Sequence, residues 1–280
     1  MTAVSWSGGL RDLLAGHDGV LLDLWGTLHD GASLYPGARD VLDGLAAEGI
    51  AVLLFSNAPR PAAFEENRLA AMGIAPAPGR AMLTAGEVWR AWWRRQGNGR
   101  AVFHCGPAGN LGLFDGLDLV HADVIEQAGI LVVSDLDPRC GGMAGHRPML
   151  AAALARGLVL HCINPDTDAV SPAGLVPRAG AVAECYAAMG GSVLRFGKPD
   201  RRAYGAALEI LGDPPAGRVL AVGDAITTDI AGAHAVGMSC VLVASGRERD
   251  RLGLRGDDSD LARLAPLLPP GCRLLPNLRW

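Results

Sequence analysis

Four short stretches of the chain carry residue types suited to an anionic group. The apolar run Val20-Leu21-Leu22 ends at Asp23, and the following turn, through Gly31, holds Trp25, Thr27, His29 and Asp30. A second run, 50–55, ends in Ser56-Asn57; Gly197-Lys198-Pro199 follows the run 192–196; and 218–222 leads into Gly223-Asp224-Ala225-Ile226-Thr227-Thr228-Asp229. A carboxylate can attack phosphorus and form an acyl phosphate. A lysine and a hydroxyl can hold the non-bridging oxygens. Two acids five residues apart, at a strand end and an adjoining helix start, suit a divalent cation of the Mg²⁺ type. Each stretch also has a plainer account: an Asp-Gly turn at 23–31, a turn or N-cap serine at 56, and a surface lysine in a strand-to-helix turn at 198.

Position in the secondary structure favours the chemical account. Short, wholly apolar runs bounded by glycine and proline read as buried parallel strands. Between them, Ala38, Val41, Leu42, Leu45 and Ala46 recur at helical spacing after Pro36, and residues 61–72 form a second helical pattern closed by Gly73. Strand thus alternates with helix, and the polar groups all fall at carboxyl ends of strands, where open α/β sheets keep their sites. Residues 84–96 restart the pattern as a helix with Trp89, Trp92 and Trp93. Strands are expected at 101–104, 118–120, 130–133 and 158–163, with a helix over 148–156. The turn Asn164-Pro165-Asp166-Thr167-Asp168 closes this set, which is enough for a separate small α/β domain. The expected organisation is a core of residues 1–79 and 186–280 with a domain of 80–185 inserted into it. The proline-rich tail reads as an irregular segment packed on the core.

Composition limits the partners. The chain has 280 residues and a net charge of −4; half of it is hydrophobic and 19% charged, so a buried core forms and global disorder is excluded. With no long basic run, neither nucleic acid nor a membrane is a natural partner. The six cysteines form no CxxC pair, which points to buried thiols in a reducing compartment rather than a zinc site. The amino-terminal stretch lacks a long apolar segment, and a cytoplasmic protein is expected.

The four stretches, in this order, resemble the four motifs of the haloacid dehalogenase (HAD) superfamily: DLWGTLHDG at 23–31, LLFSN at 53–57, GKP at 197–199 and GDAITTD at 223–229. The insertion, with its NPD turn at 164–166, resembles the α/β cap of subfamily IIA. The resemblance implies a Rossmann-like, doubly wound parallel core with an inserted α/β cap, and a Mg²⁺-dependent hydrolase acting on a small phosphorylated molecule. It also implies roles. Asp23 is nucleophile and metal ligand. Ser56 and Lys198 bind the phosphoryl group, Asn57 adds a backbone donor, and Lys198 restrains the nucleophile. Asp224 and the main-chain carbonyl of Trp25 ligate the metal, and Asp229 supports it from behind. The cap selects the leaving group, with Asp166, His146, Arg147 and Arg178 as candidates. The helix bearing Trp89, Trp92 and Trp93 offers a surface for a homodimer.

One position departs from the family. Its phosphatases carry a second aspartate two residues after the nucleophile, as general acid and base; here that residue is Trp25, whose indole N–H does not exchange a proton at neutral pH. Three readings follow. The chain is a weakened or specialised phosphatase that takes its proton from His29, Asp30 or the substrate; it is a catalytically quiet phosphometabolite-binding homologue; or it cleaves a different bond on the same scaffold.

Overall fold

A computed structural model describes residues 5–97, 99–171 and 174–280. Its strands in chain order are β1 (Gly19–Leu22), β2 (Ala51–Ser56), β3 (Arg80–Thr84), β4 (Ala101–Cys105), β5 (Val120–His121), β6 (Ile130–Val133), β7 (Leu160–Cys162), β8 (Asp168–Ser171), β9 (Gly174–Pro177), β10 (Val193–Arg195), β11 (Val219–Gly223), β12 (Ser239–Val243) and β13 (Arg273–Leu275). Six of them form a parallel sheet in the order β13-β12-β11-β1-β2-β3, and five form a second parallel sheet in the order β10-β7-β6-β4-β5. Strands β8 and β9 make an antiparallel hairpin.

Alternation along the central strands buries both faces of the larger sheet. Val20, Leu22, Val52, Leu54, Leu220 and Val222 enter one apolar cluster with Val41, Leu42 and Leu45 of helix Ala38–Ala47. Leu21, Leu53, Phe55 and Ala221 enter the other, with Ala203, Tyr204 and Ala207 of helix Arg201–Ile210. Helices on both faces of a parallel sheet are what such continuous apolar strands require. The order reverses beside β1: the chain moves outward through β2 and β3, then returns on the other side as β11, β12 and β13. Asp23, Ser56 and Asp224 lie at the carboxyl ends of the strands flanking that reversal.

Strand pairing corrects three expectations. Residues 80–84, expected to open the inserted domain, form an edge strand of the core sheet, because Val52 to Ser56 offer them a free edge in register with Arg80 to Thr84. Residues 193–195, expected in the core, pair with β7 and belong to the smaller sheet. The tail contains β13, which adds to β12 at the far edge, and its last residues pack back on the core through the hydrogen bond from Leu10 N–H to the Arg279 carbonyl. The tryptophan helix, Ala85–Gln96, also turns inward: Trp89 and Trp93 are buried with Phe114, Ile163 and Phe196 inside the smaller unit, so they do not offer the expected dimer surface. Among the described residues, no helix is long and apolar enough to cross a membrane.

Candidate active site

The first motif is built by a strand end and a tight turn. Asp23 N–H still donates to the Val222 carbonyl at 2.9 Å, continuing the β1–β11 ladder, so the side chain is fixed at the sheet edge. It is buried, and its Oδ1 accepts from Lys198 Nζ at 2.5 Å. Lys198 spends its other two protons on the Phe55 carbonyl at 2.9 Å and Asp229 Oδ1 at 2.7 Å. Asp229 Oδ2 accepts from Ala225 N–H at 3.1 Å, so both of its oxygens are engaged by protein donors. Asp23 Oδ2 is buried with no hydrogen-bond partner among the described residues.

Asp224 completes the acidic group. Its Oδ2 accepts from Arg247 N–H at 2.5 Å, and the turn of the first motif packs directly against it. Gly26, at φ +92°, lies so close that a Cβ there would fall 1.8 Å from Asp224 Oδ2. Carboxylate oxygens of Asp23, Asp224 and Asp229 all lie within 4.8 Å of one another. Burial raises the Asp23 carboxyl to about 7, with the Lys198 charge opposing and Asp229 adding to the rise. Burial likewise raises Asp224 well above the carboxylate range, and the charges of Asp23 and Asp229 push it further. Lys198 is held well above its ordinary value: desolvation works against its charge, but Asp229 and Asp23 outweigh that cost. Buried carboxylates of Asp23 and Asp224 with oxygens this close make an all-oxygen donor set that fits a hard divalent cation.

The second and third motifs are tied by one amide. Asn57 Oδ1 accepts from Lys198 N–H at 2.7 Å, and its Nδ2 donates to the Lys198 carbonyl at 3.2 Å and to Asp166 Oδ1 at 3.1 Å. This bridge leaves no room for a side chain at Gly197, where φ is +109° and a Cβ would lie 2.4 Å from Asn57 Oδ1. Ser56 Oγ accepts from Ala58 N–H at 3.1 Å, its hydroxyl lying on the cavity wall.

The smaller unit closes over these residues and leaves a cavity of about 210 Å³. Its floor is Asp23, Ser56, Lys198 and Asp224; its far wall includes Asn110, Asp135, Asp166 and Arg178. Trp25 and Arg247 hold the hairpin β8–β9 against the core. Trp25 Nε1 donates to the Val170 carbonyl at 2.6 Å, and buried Arg247 reaches Asp168 Oδ1 at 2.6 Å and Thr167 Oγ1 at 2.9 Å. The guanidinium groups of Arg68 and Arg178 lie 4.6 and 5.2 Å from the Trp25 ring centroids, so the indole is also a cation–π partner. Replacing Trp25 with Phe keeps a ring beside the arginines and removes the N–H together with part of the indole ring. Losing that bond at a half-buried carbonyl costs about 1 kcal/mol. The variant is expected to raise KM about 3- to 10-fold with kcat nearly unchanged, as steady-state kinetics would show.

A haloacid dehalogenase-like hydrolase family model matches residues 20–119, and a HAD-hydrolase-like model matches residues 195–262. A solved haloacid dehalogenase-like hydrolase from Brucella suis 1330 superposes with a TM-score of 0.80 at 28% identity, over 87% of this chain and 96% of that one. The chain belongs to the haloacid dehalogenase-like hydrolases. Among curated relatives, mouse (Mus musculus) chronophin is 29% identical over 85% of this chain and 84% of its own length. The acid sugar phosphatase of Staphylococcus aureus (strain USA300) is 28% identical over 81% of this chain and 86% of its own. The protein is therefore a phosphatase-like hydrolase with an α/β core and a cap.

In this hydrolase the structure gathers Asp23, Ser56, Asn57, Lys198, Asp224 and Asp229 around one cavity, which Trp25 also lines. It separates other candidates. His29 Nδ1 accepts from Gly31 N–H at 3.0 Å, its ring packs edge-on against Trp25, and burial lowers it to about 4; it does not line the cavity. Asp30 is consumed by the turn, accepting from Ala32 and Ser33 N–H at 2.8 Å each. Of the cap candidates, Asp166 and Arg178 face the cavity; Arg147 does not, and His146 is buried in the cap, accepting from Asp137 N–H at 3.0 Å. Sequence reasoning missed Arg247 and Asp135. Asp135 Oδ2 accepts from Arg178 Nη1 at 3.0 Å, so each fixes the other on the far wall.

Proposed function

We propose that this hydrolase is a Mg²⁺-dependent phosphatase for small phosphorylated metabolites, working through an aspartyl-phosphate on Asp23 in a reducing, cytoplasmic setting. The observation that carries the reading is Asp23 itself: one oxygen is held by Lys198 while the other, Oδ2, is buried at the floor of the cavity with no partner among the described residues. Lys198 fixes the carboxylate so that Oδ2 faces the incoming phosphorus, and its charge, with the Ser56 hydroxyl, favours the phosphoryl oxygens at the same spot. Asp23, Asp224 and the Trp25 carbonyl would hold Mg²⁺, with Asp229 orienting Lys198 behind them. The bound cation would offset the charge of two anions brought together. The cavity's small volume favours a compact leaving group, and one curated relative is described as an acid sugar phosphatase.

The test is hydrolysis of 4-nitrophenyl phosphate by the purified protein, with and without Mg²⁺. Turnover that requires both Mg²⁺ and Asp23 is the expected result. Absence of turnover with Mg²⁺ binding intact would favour the second reading, a phosphometabolite-binding homologue, for which the engagement of Trp25 in cap contacts speaks.

A further inference from the structure

With Trp25 at the usual acid's place, the cavity must supply a proton from elsewhere if an alkoxide is to leave. Its carboxyl groups can be sorted by partner. Asp23 and Asp229 are bound to Lys198, and Asp224 accepts from the Arg247 backbone. Asp135 is paired with Arg178 at 3.0 Å and Asp168 with Arg247 at 2.6 Å. Of these cavity acids only Asp166 and Asp224 have neutral donors alone and no ion pair among the described residues; Asp224 sits in the acidic group that fits the cation, which leaves Asp166, with Asn57 Nδ2 at 3.1 Å on its Oδ1. Its backbone is fixed on both sides, its N–H donating to Asn164 Oδ1 at 3.2 Å and its carbonyl accepting from Gly180 N–H at 3.0 Å. Through Asn57 it is two hydrogen bonds from the Lys198 backbone, so it is held in register with the nucleophile's own restraint.

We infer that Asp166, supplied by the cap, is the general acid and base of this hydrolase in place of the residue that Trp25 displaces. The inference rests on the phosphatase reading above. As Asp23 Oδ2 bonds to phosphorus, the phosphorus–oxygen bond to the leaving group breaks and that oxygen takes the proton of the Asp166 carboxyl. Asp166 carboxylate then takes a proton from water as the water oxygen attacks the phosphorus of the acyl phosphate. The bond to Asp23 breaks, releasing inorganic phosphate and restoring both carboxyl groups. Burial keeps Asp166 above the ordinary carboxylate range, against the charges of Lys198 and Arg247 and with that of Asp229, which favours the protonated form the first step needs.

The experiment compares Asp166→Asn with the unmodified protein on two probes of similar shape, phenyl phosphate and 4-nitrophenyl phosphate, in Mg²⁺. The nitrophenolate leaves without a proton and the phenolate does not. Asparagine preserves the acceptor for Asn57 and removes only the acid. The expected result is a loss in kcat/KM of about 10²-fold or more on phenyl phosphate, against less than about 10-fold on 4-nitrophenyl phosphate. The high-pH fall in the phenyl phosphate profile should vanish in the variant, and Asp166→Glu should recover part of the loss. The ratio between probes does not depend on the fraction of folded protein. Equal losses on both probes, or a high-pH limb that persists in Asp166→Asn, would overturn the role of Asp166 while leaving the phosphatase reading intact. No Asp23-dependent turnover on either probe by the unmodified protein would overturn both.

Discussion

Asp23→Asn is expected to lower hydrolysis by at least about 10³-fold and to raise the melting temperature of the metal-free protein. The first effect follows from the loss of the nucleophile, since an amide oxygen forms no stable bond to phosphorus. The second follows from what burial costs. Asp23 titrates near 7 in the fold against an ordinary value of 3.8, chiefly because it is desolvated. A carboxyl that holds its proton more tightly when folded stabilises the fold most at low pH. That contribution falls as pH rises from 3.8 to about 7, and above that the buried charge is a constant burden. Asparagine keeps an acceptor for Lys198 and removes the charge beside Asp224, a gain on the order of 1–3 kcal/mol at pH 8. Mg²⁺ should stabilise the unmodified protein and leave Asp23→Asn nearly unmoved. Thermal melts at pH 5 and pH 8, with and without Mg²⁺, measure all of this; a variant that melts below the parent at pH 8 without metal would refute it.

The four strand ends were legible because each joins a short, mostly apolar run to a polar group, a pattern that survives without knowledge of the partner strand. What pairing decides was not legible. Arg80–Thr84 begins with a charged residue and runs straight into a helix, and its place in the core comes only from the free edge of β2. Val193–Arg195 is apolar enough for either sheet, and nothing local says that it lies beside Leu160–Cys162. β13 has three residues inside a proline-rich tail. In the site, residue types gave Asp23, Lys198 and Asp224, whereas the side-chain role of Asn57 depends on Lys198, 141 residues away. Arg247 sits in Arg247-Glu248-Arg249-Asp250-Arg251, which reads as a solvated charge run. The one hint was on its partner: Asp168, in a turn at a strand end, needs a cation, and Arg247 supplies it across 79 residues. Trp25 was visible as a departure, but its use as the cap's hydrogen-bond donor required the fold.

Lys198→Met should be the most damaging single change to both stability and turnover. Methionine fits the apolar stem of the lysine and removes a charge that is hydrogen-bonded to Asp23, Asp229 and the Phe55 carbonyl at once. Three carboxyl groups with oxygens within 4.8 Å of one another would then face each other without a cation. Removing one partner of a buried ion pair costs about 3–5 kcal/mol, because the charges left behind are neither solvated nor paired. The loss should be largest at pH 8 without metal. It should shrink toward pH 5, where Asp23 takes up a proton, and shrink again on adding Mg²⁺, which replaces part of the missing charge in the same acidic group. Turnover should fall by about 10²- to 10⁴-fold even where the variant is folded, since neither the nucleophile's orientation nor the charge beside the phosphoryl oxygens is replaced. Urea unfolding at the two pH values, paired with kinetics in saturating Mg²⁺, separates the two effects. A variant as stable as its parent at pH 8 would mean that the carboxyl groups already share protons there, and that the lysine serves the reaction alone.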